Sequence, residues 1–93
     1  MSVSVSRTAT TPKLTFEVDV REGRGSTSHT VTLDPALLAR LGAGATGERF
    51  VEAVFAFLLE REPKESILSR FDVSVVARYF PEFETEIASY LPR

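Results

Sequence analysis

An α+β fold is predicted by three features of the 93-residue sequence: alternation of apolar and polar residues from Leu14 to Val20, renewed alternation from His29 to Leu33, and a helical stripe of large apolar side chains from Phe50 to Leu59. The architecture expected is an antiparallel β-hairpin, with a third strand held open for the N-terminus, packed against one long and several short α-helices. The length suits a single domain, placed at residues 13–93, and surface scaling at this size buries about 64% of the extended chain's surface. With 43% hydrophobic residues and 7 Phe, the chain can fill one core.

Residues 1–12 set only Val3 and Val5 among small polar side chains and are expected to form a flexible tail, their period-two spacing leaving an edge strand as the alternative. Leu14, Phe16, Val18 and Val20 share one face of the first hairpin strand, with Thr15, Glu17 and Asp19 on the other. Arg21 to Ser28, with Gly23 and Gly25, is read as a long, mobile loop before His29, Val31 and Leu33 resume the alternation.

Asp34-Pro35 starts a short helix, since Asp caps free N–H groups and Pro is tolerated at the first helical position. Leu37, Leu38 and Leu41 follow, and Gly42 is expected to close the helix in the left-handed conformation. Thr46 caps a longer helix from about Gly47 to Arg61, ended by Pro63. Its apolar residues cover roughly 200° of arc. Such a helix needs cover on more than one side, from the hairpin and later helices or from a second copy of the chain. Beyond Pro63, Ile67, Leu68 and Phe71 are expected to face inward. Asp72 caps a helix carrying Val73, Val76, Ala77 and Phe80, and after Pro81 the residues Phe83, Ile87 and Leu91 form a final stripe.

The formal net charge is −2, and the division along the chain is uneven: five basic and four acidic residues up to residue 46, six basic and nine acidic ones after it. That balance lacks the basic excess that a phosphate backbone attracts. With no Cys there is no thiol nucleophile and no Cys-ligated metal. The N-terminal residues hold no apolar stretch of the length of a signal core, no window approaches the length of a membrane span, and a cytoplasmic setting is expected.

No constellation of residues points to a chemistry. Gly42-Ala43-Gly44-Ala45-Thr46-Gly47 satisfies G-x-G-x-x-G, but a dinucleotide site needs a strand before it and a βαβ unit around it, whereas here a helix precedes. No cofactor is therefore expected. Ser28, His29 and Asp34 superficially suggest a hydrolytic triad, yet neighbouring strand residues point to opposite faces, which aims Ser28 away from the imidazole. Glu82, Glu84 and Glu86 are read as a solvated face. The segment 64–80 resembles a helix-turn-helix in outline, but Arg78 is the only basic residue from Val73 to Phe80.

The run from Phe57 to Glu84, above all Glu60 to Leu68 and Tyr79-Phe80-Pro81-Glu82, resembles the C-terminal signature of a family of small bacterial proteins. The resemblance covers about a third of the chain and implies no activity, ligand or catalytic residue. It supports a bacterial, cytoplasmic origin.

The functional expectation is accordingly a non-catalytic protein-protein interaction module whose partner is another protein or a second copy in a homodimer. Arg70, Arg78, Tyr79, Phe83 and Tyr90 are the partner-contact candidates, because aromatic and Arg side chains are favoured interface anchors. The alternative is a nucleic-acid-binding protein that uses the segment 64–80. Neither a catalytic nor a metal site is expected.

Overall fold

A computed structural model describes residues 1–91 and gives an α+β domain. Strands β1 (Ser2–Ala9), β2 (Leu14–Glu22) and β3 (Gly25–Leu33) form an antiparallel meander. Helices α1 (Pro35–Leu41) and α2 (Gly47–Leu59) follow, then a 3-10 turn at Lys64–Ser66 and the short strand β4 (Arg70–Asp72), which pairs parallel to β3. Helices α3 (Val73–Tyr79) and α4 (Phe83–Glu86) and a 3-10 turn at Ile87–Tyr90 complete the order. The result is a mixed four-stranded sheet in the order β1-β2-β3-β4, rather than a bare hairpin.

The N-terminal segment departs from the expected flexible tail. Val3 pairs with Val20 and Val5 with Val18, so Ser2–Ala9 forms the edge strand left as the alternative, and its two valines pack partly buried against the core. Two apolar residues suffice because an edge strand draws much of its stability from ladder hydrogen bonds to its neighbour. The loop expected between Arg21 and Ser28 is also far shorter. Glu22 pairs with Gly25, leaving a two-residue turn in which Gly23, at φ 61°, supplies the positive φ needed at the first central position.

The inward faces of β2 and β3 behave as their alternation requires: Phe16, Val18, Val20, Val31 and Leu33 are fully buried. On the outward face the same register brings hydroxyls against carboxylates, Ser28 donating to Asp19 at 2.7 Å and Thr30 to Glu17 at 2.6 Å.

Asp34 caps α1 by accepting from the Ala36 N–H at 2.8 Å, and Thr46 caps α2 by accepting from Arg49 at 3.2 Å. Gly42 closes α1, but not in the left-handed form expected: its φ is −80°, and the positive φ values fall on Ala43 and Gly44. Glycine is required at 42 by space, since a Cβ there would lie 2.5 Å from the Leu38 carbonyl oxygen. Gly47 meets a similar limit, where a Cβ would sit 2.7 Å from Cζ of the buried Phe16 ring. Close packing and turn geometry thus account for the glycine pattern of residues 42–47.

The wide apolar arc of α2 is covered within one chain. Phe55 faces the sheet, with its ring centroid 5.3 Å from His29 and 6.0 Å from Phe71. Phe57 lies roughly 200° further round the helix, and its ring is met edge-on by Phe80, Phe83 and Tyr90 at 5.2–5.8 Å. Both phenylalanines are fully buried. A second copy is not needed to cover this helix. No helix among the described residues is long and apolar enough to cross a membrane.

Candidate docking groove

Between the end of α2 and α3 the chain leaves an apolar groove of about 320 Å³. Its floor is made by Leu58, Ile67, Phe71 and Val76, all buried, and its walls include Val75, Phe80 and Glu62. Leu68 and Tyr79, also in the lining, are 52% and 70% exposed and are the largest apolar side chains at the described surface apart from Met1. The volume lies at the lower end of the range for small-molecule pockets.

The backbone holds this groove to the sheet. The Thr30 N–H donates to the Ser69 carbonyl at 2.8 Å, and His29 Nδ1 lies 2.8 Å from the Leu68 carbonyl oxygen. A carbonyl only accepts, so the imidazole donates from Nδ1, while Nε2 is 2.9 Å from the Thr27 hydroxyl. His29 is 3% exposed and both of its nitrogens are engaged. Its role here is to fasten the 67–69 segment. Ser28 is turned away from it toward Asp19, so the superficial triad is not assembled.

Asp72 fixes the other end of the segment. One carboxylate oxygen accepts from Thr32 at 2.6 Å and from Lys13 at 3.1 Å, and the other from the Ser74 N–H at 3.1 Å, which caps α3 as expected. Burial pushes this carboxyl upward, but the bonds from Thr32, Ser74 and Lys13 outweigh it and hold Asp72 at about 2.

A second cluster stands behind the groove. Arg61 donates to the Phe57 carbonyl at 3.0 Å, to Glu82 at 3.2 Å, to Glu86 at 2.9 Å and to the Tyr90 hydroxyl at 3.3 Å, with its guanidinium 3.6 Å above the Phe57 ring. Arg40 makes two bonds to Glu84, at 2.9 and 3.2 Å. The acidic run is solvent-facing as read, with Glu84 and Glu86 exposed, and it also supplies partners to arginines on other elements. The Glu82 carboxyl is held below its usual range first by its own backbone N–H and then by Arg61, and that of Glu84 by Arg40.

The structure separates the five candidate contact residues. Tyr79 stands on the groove. Arg70 is exposed on β4, where strand alternation sends it to the face opposite the buried Phe71. Arg78 is exposed on α3, and at 100° per residue it falls outside the arc of Val75, Val76, Tyr79 and Phe80. Phe83 is 1% exposed and belongs to the core, because its ring packs on Phe57. Tyr90 is half-buried against the same ring and accepts from Arg61. Leu68, expected to face inward with Ile67, instead points outward: the extended backbone at Ile67 buries one of the two neighbours and exposes the next.

The segment 64–80 is not a helix-turn-helix. Lys64–Ser66 is a single 3-10 turn and Arg70–Asp72 a strand, so only α3 is a helix of more than one turn within it. Nor does any group of three or more His, Asp or Glu side chains suited to a metal ion occur among the described residues. A second depression, of about 380 Å³, lies between α2 and the last 3-10 turn, and its lining mixes Arg49, Glu52 and Ser89 with Ala53, Ala56 and Leu91. No family model, curated protein or solved structure matches the chain.

Proposed function

We propose that this chain is a non-catalytic protein-binding module, acting in the cytoplasm, whose groove takes a short apolar segment of a partner protein that also carries a Lys or Arg. One observation carries the reading: Leu68 and Tyr79 stand exposed around a buried apolar floor, and the single charged lining residue, Glu62, is in no ion pair among the described residues. Exposed apolar side chains grouped on a concavity favour a partner whose own apolar residues they desolvate, and an unpaired carboxylate at the rim favours a cation there. The non-catalytic part of the reading draws on the titratable groups near the groove, of which His29 and Asp72 are bonded within the fold.

Selection of displayed peptides on the 93-residue chain tests this. Enriched peptides should combine two or three large apolar residues with a Lys or Arg. Leu68→Asp should abolish their binding and Glu62→Gln should weaken it about tenfold. Peptides that bind Leu68→Asp as well as the parent chain would overturn the reading.

A further inference from the structure

We propose that β1 is a self-pairing edge: two copies of this chain join antiparallel along β1, about a two-fold axis at Ser4, fusing their four-stranded sheets into one. The proposal is independent of the groove, which borders β4 at the other end of the strand order.

An exposed strand edge offers a row of unpaired N–H and C=O groups, and natural edges are commonly blunted by short length, charge, proline or a bulge. The β4 edge is blunted in this way, with three residues of which Arg70 and Asp72 are charged. The β1 edge is not. Ser2 to Ser6 contains no charge and no proline and pairs with β2 without irregularity, the register shift coming only after Arg7.

The sequence of that stretch is the second observation. Ser2-Val3-Ser4-Val5-Ser6 reads the same in both directions. Antiparallel pairing about Ser4 therefore sets Val3 against the second copy's Val5, Ser2 against its Ser6, and Ser4 against its own counterpart. Valine meets valine on the apolar face and hydroxyl meets hydroxyl on the polar face, as two-fold symmetry and cross-strand matching both demand. Val3 and Val5 are only half-buried, although the residues they pair with, Val20 and Val18, are fully buried. A second copy supplies the missing neighbours. Once the two β1 edges are used, the outer edges of the joined sheet are the blunted β4 strands, and growth stops at two.

Sedimentation of the 93-residue chain across the micromolar range should show a concentration-dependent dimer. Ser4→Lys sets two lysines directly opposite across the axis, their Cβ atoms about 5 Å apart, and the like charges should raise the dissociation constant about tenfold; mixing it with Ser4→Glu should restore the dimer. In a chain without cysteine, Ser4→Cys should cross-link to itself on oxidation, whereas Ser6→Cys, offset along the strand from its own counterpart, should not. Far-UV circular dichroism matching the parent chain shows that each variant is folded. A parent chain that stays monomeric throughout, or a dimer indifferent to Ser4→Lys, would overturn the proposal. Leu68→Asp should leave the dimer intact, which keeps failure here distinct from failure of the groove.

Discussion

His29 Nδ1 lies 2.8 Å from the carbonyl oxygen of Leu68, thirty-nine residues further along the chain. The bond joins a buried position of β3 to the backbone of the most exposed leucine and so sets where the groove wall stands. Replacing His29 by Phe keeps the ring against Phe55 but leaves that carbonyl without its donor. The expected cost is about 1–3 kcal/mol in urea unfolding, with weaker peptide binding at the groove. Unchanged stability would show that the imidazole is not what fastens Leu68.

Arg61 should be the most sensitive charged residue in the fold. Its bonds to Phe57, Glu82, Glu86 and Tyr90 join the end of α2 to the last two turns, and the guanidinium also lies over an aromatic face. A lone exposed ion pair contributes little, but here one planar fork serves four partners, a geometry lysine cannot copy. Arg61→Ala should lower the urea midpoint more than truncation of any other charged side chain, and Arg61→Lys should recover less than half of that loss in the same denaturant titration.

Asp72 ties stability to pH. Its folded pKa, about 2, lies below the ordinary 3.8, so the contribution is fully present above pH 3.8 and is lost as pH falls through about 2. The side chain is 20% exposed, and after solvent screening the contribution is about 1 kcal/mol. The stability difference between the parent chain and Asp72→Asn should therefore be constant from pH 5 to 7 and shrink toward pH 2. A difference that grows on acidification would contradict the assignment.

Strands and helices that bury one regular face were legible in the sequence. Phe16, Val18 and Val20 in β2 and Phe50 to Leu58 in α2 stand where their periodicities place them, because their register with the core is set by their own apolar spacing. β1 and β4 were harder to read for a different reason. Ser2–Ala9 carries two valines, and Arg70–Asp72 a single Phe, so each exists as a strand by virtue of the partner strand beside it. Of the five contact candidates only Tyr79 lines the groove, whose floor residues Ile67, Phe71 and Val76 were read simply as core. Ile67 and Leu68 are chemically alike, and only the backbone direction at that turn decides which of them is left outside.

The clasp around Phe57 sets an order on how the molecule comes into being. A nascent chain that has emerged as far as Arg78 already contains every strand of the sheet, yet Phe80, Phe83 and Tyr90, which enclose that ring, are still to come. Until they arrive, the far side of the central helix is greasy and bare. In the order of the described chain, the cover over that one phenylalanine is supplied after the whole sheet has been laid down.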